Sequence, residues 1–406
     1  MTDWLVPRMR PHRATIFGEM SVLATELGAI NLGQGFPDTD GPATVREAAV
    51  RAIREGRGNQ YPPVHGVPQL REAIATHQHH WYGLAPDPAT EVVVTTGASE
   101  AIPAVILALV ERGDEVVLFD PHFDIYTAAI ALADGTCRPV SVLPGTLRPD
   151  IDALRDAVTS RTRLLVVNSP NNPTGIVYTP AELAAIAEIA ERTDTLVISD
   201  EVYEHLWFDG HPHTAFATLP GMADRTLTIG SAGKCFSLTG WKVGWVTGPA
   251  DLIAAVRTVR QHMSFVSGGP FQWAIAEGLA LPDEHWESER RSLQARRDHF
   301  TTGMSELGFG VIESEGSYFL STDVRPLGFT DGRRFCHALA HAGGVVAIPE
   351  QALCHDERDG APYVRWALCK RREVLDEALA RMAAALPGLR RDATEQVGDP
   401  LSPAGG

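Results

Sequence analysis

The chain has little to offer a nucleic-acid backbone. Only 35 lysines and arginines stand against 51 acidic residues, a net charge of −16 over 406 residues, and a surface this acidic repels phosphate. Cysteine is scarce too. Cys137, Cys235, Cys336, Cys354 and Cys369 are scattered, odd in number and hold no CxxC pair, so they build neither a disulfide framework nor a zinc ribbon. No apolar run approaches the length of a membrane span, and the opening MTDWLVPRMRPHR lacks the apolar core of a signal peptide. The expectation is a soluble cytoplasmic protein with reduced thiols, without nucleic-acid or membrane partners.

What is present is a globular amount of apolar residue, 44%, in a chain long enough for two domains. Buried-strand patterns and helical patterns alternate through the middle. EVVVTTG (91–97), DEVVLFDP (114–121), TCRPVSV (136–142), RLLVVNSP (163–170), TLVISDE (195–201), TLTIGS (226–231) and VGWVTG (243–248) read as seven strands. Helical runs separate most of them, with Asp150 and Thr179 as caps and Pro180 in a first turn. Such alternation predicts an α/β fold with a mostly parallel seven-stranded sheet covered on both faces. Ligand groups then gather where strands end, and Asn168, Asp200 and Ser231 each stand at such an end.

Beyond about residue 280 the pattern becomes α+β: a long charged helix (283–308), strands within 309–324 joined at Glu315-Gly316, a helix near 332–342, VVAIP, YVRWALC and a last helix (372–387). The expected division is an N-terminal segment 1–40, without a strand partner of its own, against a small domain 281–388, a large domain 41–280, and a disordered tail 389–406.

One stretch stands out. GSAGKCFSLTGWKVGW (230–245) holds two lysines, Lys234 and Lys242, among small and apolar residues with four glycines. A lysine is a nucleophile only when uncharged, and burial or a neighbouring cation lowers its pKa from the usual value of about 10.4. Lys242 folded beside Lys234 would supply that cation and bind an anion, while Gly233 and Gly240 would let backbone approach a ligand. Two surface lysines in a glycine-rich loop is the competing reading of the stretch alone.

This stretch resembles the cofactor-binding lysine segment of the pyridoxal-phosphate aminotransferases of fold type I, class I/II, in the branch of kynurenine, glutamine and methionine aminotransferases. The resemblance runs from about residue 12 to about 387. It rests also on NLGQGFPD (31–38), NQYPP (59–63), TTGASEA (95–101), DPHFDIY (120–126), NSPNNPTG (168–175), SDEVYEHLWFDG (199–210) and YVRWALCK (363–370). The pattern looks closest to actinobacterial proteins described as N-succinyldiaminopimelate aminotransferases. The side-chain pocket leaves succinyldiaminopimelate, aromatic and sulfur amino acids open as donors.

The resemblance implies an enzyme using pyridoxal 5'-phosphate to move an amino group between an amino acid and a 2-oxo acid by ping-pong kinetics. By it, Lys234 bonds the cofactor and shuttles the α-proton. Asp200 pairs with the ring nitrogen, and a carboxylate held by that cation would show a depressed pKa. Tyr203 and Asn172 bond the phenolic oxygen. Gly97, Ala98, Ser99, Ser231 and Lys242 hold the phosphate. Phe123 stacks on the ring. Tyr61 comes from a neighbouring subunit, which makes the protein a homodimer. Arg365 grips the substrate α-carboxylate through its guanidinium fork. Gly35 meets the same carboxylate, Asn172 adjoins it, and Phe17 and Phe265 line the pocket. For Asp200 a helix cap, for NNPTG an ordinary turn and for Phe123 core packing are the plainer readings.

His122 has no assigned role, and HQHH (77–80) reads as a solvated helix surface without an acidic partner, so no metal site is expected. Two departures from the family pattern are Cys235 after the lysine, in place of a small polar residue, and FVSGGPFQ (265–272), which differs from the kynurenine type. A carbon–sulfur lyase acting on cysteine conjugates would use the same lysine and ring. A regulator's ligand-binding domain is the alternative from another class. It is disfavoured by the net charge of −16 and by the roughly 30 residues ahead of NLGQGF, too few for a DNA-binding domain.

Overall fold

The computed structural model describes residues 4–397. Its centre is the expected seven-stranded sheet, in the spatial order Val92–Thr95, Gly244–Thr247, Thr226–Ser231, Leu196–Asp200, Thr162–Asn168, Glu115–Asp120, Thr136–Ser141. All neighbours are parallel except Gly244–Thr247, which runs antiparallel to both of its neighbours. Alternation along one strand shows why both faces are covered. Val116 and Leu118 enter the apolar cluster that contains Ile102 and Ala129, whereas Val117 and Phe119 enter the one with Leu154, Leu183 and Ile186. The Pro180–Arg192 helix opens on a full capping box between Thr179 and Glu182, and Asp150 caps Ile151–Ala157.

A second, four-stranded antiparallel sheet follows in the order Ile348–Pro349, Tyr363–Ala367, Phe319–Asp323, Gly310–Val311. The Asp283–Glu306, Gly332–Gly343 and Arg372–Val397 helices accompany it, and Phe300, Leu339 and Met382 share one apolar cluster with Leu320, Val364 and Trp366.

Three expectations need correction. The N-terminal segment does have a strand: Ile30–Asn31 pairs in parallel with Val345–Val346. Two residues are too short to show a sequence pattern. VVAIP is not one strand, because its halves join different sheets. The last helix also continues through Pro387 to Val397, since buried Leu386 and Leu389 keep that turn docked. The proposed tail therefore begins inside a helix, and 398–406 lie outside the described residues. Among the described residues, no helix is long and apolar enough to cross a membrane.

Candidate active site

Parallel register places the first two polar groups. Asn168 and Asp200 are paired at the ends of adjacent strands, so their side chains leave on one face. Asn168 donates from Nδ2 to the Asp200 carbonyl at 2.9 Å and accepts from the Asn172 N–H at 2.9 Å. The Asp200 carboxylate is 3% exposed and receives the Tyr126 hydroxyl at 2.5 Å. Burial pushes its pKa up to about 6, against the pull of Tyr126 and the Val202 N–H. Among this chain's own groups it is therefore raised, not depressed. A cation brought against it would pull this value back down.

Lys234 sits on the one-turn helix Ala232–Cys235 that follows the Thr226–Ser231 strand. Its amine donates to the Tyr318 hydroxyl at 2.7 Å, and Tyr318 donates to the Gly35 carbonyl at 2.6 Å. Burial lowers the Lys234 pKa to about 8, with the Arg365 charge helping and Lys242 contributing less. Desolvation, not the second lysine, does most of the activation. Gly240 is exposed and does not line the cavity, whereas Gly233 is buried on its wall.

Lys242 lies across the cavity, in the left-handed backbone region at φ +54°, and donates to Ser99 Oγ at 2.9 Å. Gly97 turns the chain at φ +73° into the Ala98–Leu109 helix, where a Cβ would stand 3.4 Å from Lys242 Nζ. Free N–H groups at a helix start, with a lysine opposite, make an anion cradle, and Ser231 borders it.

Arg365 is 1% exposed on the Tyr363–Ala367 strand. Nη1 donates to Asn172 Oδ1 at 2.8 Å and Nη2 to the Gly33 carbonyl at 2.6 Å, while Nε has no partner. The guanidinium lies over the Phe319 ring at 4.1 Å and the Phe17 ring at 5.0 Å, and burial lowers its pKa to about 10. An arginine so deep without a carboxylate partner is suited to an incoming one.

Phe17, Gly35, Gly97, Ala98, Ser99, Phe123, Asn172, Asp200, Tyr203, Ser231, Lys234, Lys242 and Arg365 line one cavity of about 290 Å³. Tyr61 and Phe265 do not. They pair edge to face at 5.3 Å on the surface, Tyr61 81% exposed, so Phe265 is not a wall of its own chain's cavity. His122 is bound to Asp120. The HQHH reading also fails: His79 and His80 are exposed, but His77 is buried beside Glu204 and His205, and His80 meets Asp283 at 2.9 Å.

Two functional side chains were missed. Tyr126 lies in the first turn of the Ile125–Leu132 helix, its ring edge-on to that of Phe123, which precedes the helix. Tyr318 sits in the turn just before the Phe319–Asp323 strand and carries no local signal.

The chain matches the family of class I and II aminotransferases over residues 28–382. It belongs to that family. It is 50% identical over 388 residues to the probable N-succinyldiaminopimelate aminotransferase of Mycobacterium tuberculosis, covering 93% of this chain and 98% of that protein. A solved structure of N-succinyldiaminopimelate aminotransferase from that organism superposes with a TM-score of 0.92 at 50% identity, covering 94% of this chain and all of that one. The methionine aminotransferase of Escherichia coli is 39% identical over 342 residues, 84% of this chain and 88% of that protein.

The chain is thus a pyridoxal-phosphate-dependent transaminase of fold type I. The donor set fits that cofactor. An easily uncharged amine, a buried carboxylate and an anion cradle share one cavity, and the cradle turns on Gly97 at φ +73°, a backbone that a side chain would strain.

Proposed function

We propose that this aminotransferase takes its amino group from N-succinyldiaminopimelate and passes it to 2-oxoglutarate. The observation that carries the reading is 50% identity over 98% of a relative bearing that name. An aromatic or sulfur amino acid is the runner-up donor, supported by the methionine aminotransferase match. A donor screen with cofactor-loaded enzyme, followed by spectral conversion of the cofactor to its amine form, tests it. Conversion at least as efficient with methionine or an aromatic amino acid would overturn it.

Pyridoxal phosphate, when bound, supplies an aldehyde that bonds amines and a ring that accepts electron density from the substrate α-carbon. In our reading Gly97, Ala98, Ser99, Ser231 and Lys242 hold its phosphate. Phe123 would face the ring, and Tyr203 and the Nδ2 of Asn172 would serve its phenolic oxygen. Asp200 would keep the ring nitrogen protonated, with Tyr126 fixing the carboxylate. Lys234 Nζ would hold the aldehyde at rest and, once free, would carry the α-proton. Arg365 binds the substrate carboxylate, beside Asn172 and the Gly35 backbone. Phe17 and Phe319 exclude water around that guanidinium.

We infer also a division near residue 280 between the unit of the seven-stranded sheet and that of the four-stranded one, with the N-terminal segment lying on the latter. The exposed Tyr61–Phe265 pair supports a homodimer in which each copy lends this pair to the other's site. Five free thiols agree with a reducing cytoplasmic compartment.

A further inference from the structure

His77, on the Pro68–Tyr82 helix, meets Glu204 and His205 from the loop after the Leu196–Asp200 strand. All three are buried. His77 Nε2 lies 3.2 Å from His205 Nε2 and 3.4 Å from Glu204 Oε2, and the three atoms lie within 4.8 Å of one another. Glu204 Oε2 has no hydrogen-bond partner of standard geometry, although the Tyr82 hydroxyl also bonds this carboxylate. A carboxylate at this depth requires a compensating cation or a full set of donors.

The two close nitrogens meet hydrogen-bond distance, but their rings depart from the arrangement of a straight bond. A straight N–H···N hydrogen bond of this length sets the ring centres about 5.5 Å apart. Two imidazoles whose Nε2 lone pairs converge on one point about 2.1 Å from each nitrogen have centres about 5 Å apart. The observed separation is 5.0 Å, with the planes at 80°. The edges of 3.2 and 3.4 Å also match the about 3.4 Å between ligand atoms around a four-coordinate ion with bonds of that length.

We propose that His77, Glu204 and His205 form a buried site for a divalent first-row metal ion, zinc in the first instance. Two imidazoles and one carboxylate are a zinc ligand set. The ion would tie the Pro68–Tyr82 helix to the loop that carries Tyr203, one residue before Glu204, and so brace a wall of the cofactor cavity from behind. Trp286, 4.1 Å from the His205 ring, and Trp81, 4.9 Å from it, close the site to solvent. Its part is structural; no step of the transamination passes through it.

Metal analysis of tag-free holoenzyme from zinc-supplemented cells tests the site. The expected result is about one zinc per chain, falling below about a tenth in His77→Ala and His205→Ala. His213→Ala, whose ring pairs with Glu201 instead, should keep its zinc. Because the alanine variants could fail to fold, the wild-type holoenzyme is also stripped with chelator and titrated with cobalt(II), expecting the visible absorption of a four-coordinate ion. Metal-free holoenzyme that neither takes up cobalt(II) nor gains in Tm with zinc overturns the proposal, as does full zinc retention in folded His77→Ala.

Discussion

The Lys234 amine and the Tyr318 hydroxyl stand 2.7 Å apart, with Tyr318 donating in turn to the Gly35 carbonyl at 2.6 Å. This chain gives the free lysine a fixed resting place. Gly35 allows it, because a Cβ there would lie 2.8 Å from the Tyr318 ring. Tyr318→Phe should keep the fold and the cofactor yet lower kcat about tenfold, with KM little changed, as expected for a lost orienting bond to a proton carrier. Steady-state kinetics beside cofactor-binding titration check this; an unchanged kcat would remove Tyr318 from the mechanism.

The Lys234 pKa of about 8 sets a pH dependence for cofactor capture. Below it the amine is a cation and cannot attack an aldehyde; above it the amine is free. Capture of pyridoxal phosphate by apoenzyme should therefore accelerate from pH 6 to about 8 and then level. Stability follows the same sign. The unfolded lysine holds its proton to about 10.4, so the unfolded state binds more protons between the two values, and this group's penalty on the folded apoenzyme fades as pH rises through that window. Stopped-flow absorbance measures the capture, and Lys234→Ala should leave no adduct for borohydride to fix.

Asp200 predicts an acid limb. Its pKa in the free chain is raised to about 6, so below that pH the carboxyl is neutral and cannot pair with a ring cation. Cofactor affinity should fall as pH drops through about 6. Tyr126→Phe removes a donor that lowers this pKa, so the limb should move to higher pH. Fluorescence titration of cofactor against pH decides it, and a limb unmoved in Tyr126→Phe would separate that hydroxyl from Asp200.

How much of this was legible beforehand follows from the kind of physics involved. Continuous apolar strands fixed both sheet faces, so the seven strands and the polar residues at their ends could be read directly. The strand at Ile30–Asn31 could not, because two residues have no period and only Val345–Val346 gives them a partner. Within the site, Arg365 stood out in an apolar strand, whereas the roles of Lys234 and Asp200 came from the family resemblance, the stretch around the lysine alone leaving a surface loop open. Tyr318 did not stand out, since its role arises only where a loop some 283 residues distant meets its hydroxyl. His77 was misread because a four-residue polar run looks solvated until the fold turns one side of it onto Glu204 and His205.

Arg365 is tied to Asn172 and the Gly33 carbonyl but to no carboxylate. Arg365→Ala should raise KM for the amino donor about a hundredfold with the cofactor still bound, because a bidentate charged pair is lost from a dry site. Arg365→Lys should recover only part, since an ammonium cannot present two parallel donors. Loss of the cofactor with normal donor binding would reverse the assignment.

The proposed homodimer can be tested at Tyr61. Tyr61 is exposed and does not line its own chain's cavity, so the reading that it serves a neighbour's site can be tested. Tyr61→Ala and Lys234→Ala enzymes should each be nearly inactive alone. Mixed and allowed to exchange subunits, half the dimers carry one of each chain, and in those one of the two sites has both its lysine and a neighbour's tyrosine. Recovered activity should approach about a quarter of wild type. If Tyr61 acts within its own chain, every site in the mixture lacks one group and no activity returns; sedimentation of the mixture confirms that exchange occurred.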